Sequence, residues 1–368
     1  MKQTFTIAGV GELLWDLLPS GKQLGGATLN FAFHAAQFGC RSAVVSAVGN
    51  DPYGLQILEK LQEAQLGTAY VQQNDYPTGT VDVRLDARGV PSYTIHKPVA
   101  WDFIAWNEGL ERLAPQLDAV CFGTLGQRGE TSAATIRKLL SHVNKQCLKV
   151  FDINLRQDFY SEETVRASLE QADILKLNED ELPVVAGMLS LHGDADSQLE
   201  QLRQRYDLRY IVYTLGSRGS RVTAPDDFSV METAKVEVAD TVGAGDSFTA
   251  AFVAGILQGR PLHEAHRRAT ETAAFVCTQA GGTPVLPDSL IYLQNEISDR
   301  KSERGRIRSE CGLFRVSAIR AERPANQYRW SPSSCSSCSE MRLRPIARHT
   351  YQMYPATNGT SIDTIAIT

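Results

Sequence analysis

Nowhere in this chain does an apolar run reach the length needed to cross a bilayer, so no membrane span is expected. The opening stretch MKQTFTIAGVGELL has one Lys and then a short β-like run, without the long apolar segment and small-residue cleavage site of a secretory signal. A cytoplasmic setting is the expectation. Charge of one sign is in little surplus: the net value is −5 over 368 residues, which argues against nucleic acid as a partner. Cysteine is sparse and odd in number, seven in all. Cys40, Cys121, Cys147 and Cys277 stand singly in apolar contexts, as small buried hydrophobes do. Cys335-x-x-Cys338 is a pair without a second pair, so a four-ligand zinc site is not expected. Two glycine motifs are also incomplete. GVGE at 9–12 lacks the third glycine of a dinucleotide fingerprint, and no Gly-Lys-Ser/Thr follows the turn at 243–245.

What is present is an ordinary globular composition, 43% hydrophobic and 21% charged, in a chain long enough to bury a substantial core. The average conceals an asymmetry. From Arg300 onward there are eleven Arg and one Lys against four Glu and one Asp, a surplus of +7, which leaves −12 on residues 1–299. Hydrophobic periodicity also fades there. A folded domain over 1–299 and a basic, disordered tail over 300–368 are expected. Within the first part, residues 4–10, 42–49, 118–123, 148–153, 173–178 and 209–216 read as strands. Helical patterns separate several of them: 28–38, TSAATIRKLLSHVNK and ETVRASLEQA. Apolar strands alternating with helices predict an α/β fold, a mostly parallel sheet covered on both faces, with the functional loops at the strands' C-terminal ends. Residues 76–97 instead alternate polar and apolar around Ala-Arg-Gly, which predicts a hairpin with one wet face. It reads equally as a lid over a site or as an edge hairpin.

The most informative segment is KVEVADTVGAGDSFTAAFVAGILQG. A β-like run leads to Asp240, then Gly243-Ala244-Gly245-Asp246, then an apolar helix from about Ser247 to Leu257. Small residues at a helix start expose backbone N–H groups where the helix dipole favours an anion. A carboxylate at the edge of such a hole can take a proton from an attacking hydroxyl. The competing reading is an ordinary helix cap beside a tight turn.

DTVGAGDSFTAAF resembles the C-terminal signature of the ribokinase-like, or phosphofructokinase-B, sugar kinases. GELLWDLLPSGKQLGGATLNFAFHAAQFG at 11–39 resembles their N-terminal sugar-binding segment, in the fructokinase-like branch. FDINLR at 151–156, NEDE at 178–181 and TLGSRG at 214–219 follow in the family's order. The resemblance implies a ribokinase-like fold with a small β-sheet lid, and transfer of a phosphoryl group from ATP to a sugar hydroxyl. It implies Asp246 as base and Gly243, Ala244 and Gly245 as anion hole. Asp16, Gly25, Gly26, Asn30 and Arg156 fall to the sugar, and Asn178, Thr214, Gly216 and Gly219 to ATP. Glu181 is implied for Mg²⁺ through water. Asp240 is implied for a monovalent cation such as K⁺, a site weakened by Val285, where some relatives carry a hydroxyl residue. Fructose, phosphorylated at C6, is the favoured substrate. Ribose, ketodeoxygluconate and nucleosides stay open, as does a non-catalytic sugar-responsive binding protein on the same fold. A homodimer through the lid is a further implication.

Overall fold

A computed structural model describes residues 4–19, 21–85 and 91–291. The Ala-Arg-Gly turn at 87–89 and the basic segment from 300 lie outside the described residues. In chain order the strands are β1 (Thr6–Val10), β2 (Leu14–Leu18), β3 (Gly21–Gly25), β4 (Arg41–Gly49), β5 (Val71–Asn74), β6 (Gly79–Leu85), β7 (Pro91–Ile95), β8 (Ala119–Phe122), β9 (Leu148–Asp152), β10 (Ile174–Asn178), β11 (Tyr210–Thr214), β12 (Ser220–Thr223) and β13 (Phe228–Met231). The helices are α1 (Ala27–Gln37), α2 (Pro52–Glu63), α3 (Glu108–Leu113), α4 (Glu130–His142), α5 (Glu162–Leu169), α6 (Glu181–Leu189), α7 (Ala195–Arg205), α8 (Ala244–Leu257), α9 (Leu262–Cys277) and α10 (Asp288–Ile291).

Nine strands form the main sheet, in the order β13-β12-β11-β10-β9-β8-β1-β4-β5. All pairs from β11 to β5 are parallel; β12 and β13 turn back antiparallel at one end. The strands are apolar on both sides because both sides are covered. Ile7 packs on one face with Phe31, Phe252 and Ala269, from α1, α8 and α9. Ala8 and Val10 pack on the other with Leu139, Val165 and Val185, from α4, α5 and α6. Polar residues break the apolar pattern at the strands' C-terminal ends. On β9, Leu148 and Val150 face α8, and the period of two sends Asp152 the same way. On β10, Ile174 faces α8, and so does Lys176; the register sets Lys176 opposite Asp152.

The second sheet has the order β3-β2-β6-β7. The hairpin expected over 76–97 supplies β6 and β7. Residues 14–25 form a second hairpin that the sequence reading did not anticipate, and β2 pairs parallel with β6. Asp16, which taken alone reads as a loop residue, therefore stands in mid-strand. One face of this sheet packs Leu14, Val81, Val83 and Ile95 against Val99, Trp101, Leu125 and Phe159.

Two local expectations are corrected. The β-like run at 235–239 is irregular, and its Val236 and Val238 are exposed rather than packed. Helix α8 starts at Ala244, not Ser247, because Gly243 adopts φ 75° and serves as its N-cap. Asp246 is thus the third residue of the helix and not its cap.

Candidate active site

Two helix starts meet at the centre of the site. Helix α1 leaves Gly26, whose φ of 119° and 2.4 Å approach of a hypothetical Cβ to the Glu12 carbonyl demand glycine. One turn later Asn30 is buried, and its Nδ2 donates to Asp246 Oδ2 at 2.8 Å. Asn30 Oδ1 is buried with no hydrogen-bond partner among the described residues. A buried acceptor left unpaired is costly, so this oxygen suits an incoming hydroxyl donor. At the start of α8, a Cβ on Gly243 would lie 2.5 Å from Gly282 Cα. Gly282 O in turn accepts from His34 Nε2 of α1 at 3.0 Å. Ala244 N–H turns toward Thr241 O at 3.3 Å. The N–H groups of Gly245 and Asp246 belong to the first helical turn, which has no intrahelical acceptor to offer them. They are suited to an anion.

Beneath this turn lies a buried ion pair, Lys176 Nζ to Asp152 Oδ1 at 3.0 Å. Thr249 Oγ1 donates to Asp152 Oδ2 at 3.2 Å. Lys176 Nζ would be 3.0 Å from a Cβ at Gly245, so glycine makes room for the ammonium under the helix start. Burial works against that charge, but Asp152, Glu181 and Asp246 outweigh it and hold the Lys176 pKa above its ordinary value. Asp246 is pushed up to about 6 by burial and by the charge of Asp152, against the pull of Asn30, Lys176 and Arg156. Burial raises Glu12 to about 7, although its Oε1 accepts from Ala27 N at 3.1 Å. Burial also raises Asp16 to about 6, with Arg156 opposing and Asp240 adding. Glu12, Thr28, Cys121, Asp152, Asn154 and Asp246 line one small pocket. Sequence reasoning missed Glu12 and Lys176, and read Asp152 either as a residue at the productive C-terminal end of a strand or as a maker of loop hydrogen bonds, without assigning it a partner. The available signal was a Lys within the apolar strand ILKLN, on the face of Ile174, which demands a buried carboxylate partner.

The other expected residues fall into two groups. Asp16 and Gly25 are in contact: a Cβ on Gly25 would lie 2.5 Å from Asp16 Oδ2. Arg156 is exposed on the loop after β9, with Nη1 on Leu155 O at 3.0 Å, and its charge acts on Glu12, Asp16 and Asp246 alike. Asn178 and Glu181 bind each other's backbone: Asn178 Oδ1 accepts from Asp180 and Glu181 N–H at 2.9 Å, and Glu181 Oε2 from Asn178 N–H at 2.8 Å. Both residues therefore have a structural task at the start of α6. Thr214 is the register partner of Asn178 on β11, and Gly216 and Gly219 form the turn into β12. Asp240 accepts from Val242 N–H at 3.0 Å and Gly281 N–H at 3.1 Å, tying the approach to α8 to the loop after α9. Val285 is exposed. Among the described residues no three His, Cys, Asp or Glu side chains converge as a metal cage, and no helix is long and apolar enough to cross a membrane.

Residues 20–289 match the pfkB family of carbohydrate kinases, and the chain belongs to that family. It is an ATP-dependent carbohydrate kinase with a ribokinase-like fold. An uncharacterized sugar kinase of Pyrococcus horikoshii is 30% identical over 309 residues, 78% of this chain and 95% of the relative. Its solved structure superposes with a TM-score of 0.64 at 25% identity, covering 81% of this chain and 98% of that one. A fructokinase of Salmonella typhimurium is 28% identical over 76% of this chain and 95% of its own length. An ATP-dependent 6-phosphofructokinase of Thermoanaerobacterium thermosaccharolyticum is 27% identical over 77% and 91%.

Proposed function

We propose that the enzyme phosphorylates fructose on its C6 hydroxyl, with Asp246 as the general base. The carrying observation is the junction of two helix starts, where Asn30 orients Asp246 beside unpaired helical N–H groups. The hydroxyl gives its proton to Asp246 as its oxygen attacks the γ-phosphorus of ATP, and the bond from that phosphorus to the bridging β-phosphate oxygen breaks to release ADP. The phosphoryl oxygens rest on the N–H groups of Gly245 and Asp246, beside Gly243 and Ala244, with the ammonium of Lys176 below. Asp16, Gly25, Gly26, Asn30 and Arg156 hold the sugar. Asn178, Thr214, Gly216 and Gly219 hold the nucleotide, and the Pyrococcus relative has also been solved with ATP. Mg²⁺ keeps most of its waters and needs few protein oxygens, which fits a single carboxylate such as Glu181 acting through water. Bound there it would neutralise phosphate charge. Asp240 offers a carboxylate to a monovalent cation, without a hydroxyl from position 285. A cytoplasmic setting and a homodimer through the second sheet complete the reading.

Fructose is favoured because the Salmonella relative is a fructokinase. A second acceptor has its own support: the Thermoanaerobacterium relative is a 6-phosphofructokinase, and the exposed Arg156 could meet a phosphate. The test is ADP release measured across fructose, fructose 6-phosphate, ribose, ketodeoxygluconate and adenosine. Fructose should give the highest kcat/KM. A preference for fructose 6-phosphate or a nucleoside would overturn the fructose reading and leave the kinase standing.

A further inference from the structure

The loop after β9 is bent in an unusual way. Asn154 and Gln157 have φ of 44° and 50°, and neither is glycine. Asn visits this left-handed region readily, but Gln does not, and such conformations persist where their surroundings impose them. The surroundings here are specific. At one end of the loop Leu155 N–H donates to Glu181 Oε1 at 3.0 Å. At the other, Gln157 Nε2 donates across 64 residues to Tyr93 O, at 2.7 Å. Tyr93 lies on β7, the edge of the second sheet, and pairs with Val83. His96 N–H bonds Thr80 O, so alternate pairs along this ladder are bonded and Tyr93 O points outward, unclaimed by β6. Gln157 takes that carbonyl. Arg156, between the two anchors, has no acidic side-chain partner among the described residues, and its guanidinium is bonded only to Leu155 O.

We propose that Gln157 is a positioning residue that fixes Arg156 over the sugar when the second sheet lies closed on the body. The bond is made by an exposed side chain to the backbone of a separate sheet, so it exists only while sheet and loop are together. The turn itself is closed by Phe159 N–H on Arg156 O at 3.0 Å and keeps Gln157 left-handed. What the Gln157 bond adds is the tie to β7; without it nothing fixes the turn, and Arg156 on it, relative to the second sheet. The inference rests on the reading of Arg156 as a sugar ligand.

The experiment is steady-state kinetics on Gln157→Met, which keeps length and charge but has no donor, with Gln157→Lys as the variant that restores one. Gln157→Met should raise the KM for sugar roughly 3–10-fold, the weight of one net hydrogen bond, with kcat and the KM for ATP little changed. Gln157→Lys should recover much of the loss. In an Arg156→Ala background, Gln157→Met should have no further effect. An unchanged sugar KM in Gln157→Met, or additive effects in the double variant, overturns the latch while Arg156 keeps its role. If Arg156→Ala alone leaves sugar KM unaltered, the reading of Arg156 falls first and the inference with it. Position 157 is exposed, so equal melting temperatures are expected across the set.

Discussion

Asp246 is held in a place that suits a base and costs the fold. Its pKa of about 6 lies above the ordinary 3.8, so the native state grips the proton more tightly than the unfolded chain does. The stability this gives is full below about pH 4 and is lost as pH rises through 6. Activity runs the opposite way, because only the ionised form accepts a proton. The kcat/KM profile for sugar should therefore fall about tenfold per unit below pH 6 and level off above it. Asp246→Asn should lower kcat by ~10²–10⁴ while sugar still binds, as calorimetry would read. The same variant should be more resistant to denaturant at pH 8, on the order of 2 kcal/mol, with the gain vanishing toward pH 4. Near-normal turnover would reduce Asp246 to a structural residue. Asp246 and Asn30 were legible because each lies in a long, ordered motif. Lys176 and Glu12 were not singled out: their meaning depends on which face of a strand or which helix start they meet, and that is settled by partners far away in sequence.

At the scale of elements, the start of α8 carries the sharpest expectation. Gly243 combines φ 75° with a Cβ position 2.5 Å from Gly282 Cα, so Gly243→Ala cannot be absorbed by a side-chain rotation. It should cost ~1–3 kcal/mol of stability, measured by denaturant titration, and raise the KM for ATP. A silent substitution would show that the turn is looser than described. The second sheet gives another. β6 lies between β2 and β7, so removing 76–97 takes away the partner of the strand bearing Asp16. Loss of sugar phosphorylation should then outweigh any gain in ATP hydrolysis; intact fructose turnover would separate Asp16 from the sugar. Asp16→Ala, by contrast, should weaken sugar use far more than ATP dependence, read from the two KM values. The parallel core was readable from apolar runs at helical spacing. The β2–β3 hairpin was hidden because its strands are five residues each and its polar Lys22 and Gln23 break the apolar run. The 235–239 run misled in the other direction: alternating valines look like a strand even where no neighbouring strand receives them.

At the scale of the molecule, every residue assembled above lies before 292, and we place the end of the kinase domain near 299. A chain ended there should fold and phosphorylate sugar at the wild-type KM for ATP. Insolubility, or loss of activity, would make the basic segment part of the domain. Three of the four described cysteines, Cys40, Cys121 and Cys147, are buried, and burial holds their thiols far above the ordinary range. Thiol reagents should leave them untouched until the protein unfolds, which mass spectrometry of alkylated peptides would follow.

The bond between Asn30 and Asp246 joins residues 216 positions apart, and Gly282 packs against Asn30 and the Gly243 turn. A ribosome must therefore make nearly the whole domain before any of it can turn over substrate. A nascent chain halted before residue 240 lacks the proposed base together with α8 and α9, which cover one face of the main sheet. On refolding from denaturant, activity should return with the slowest phase, since docking of the two chain ends is the most distant contact to close.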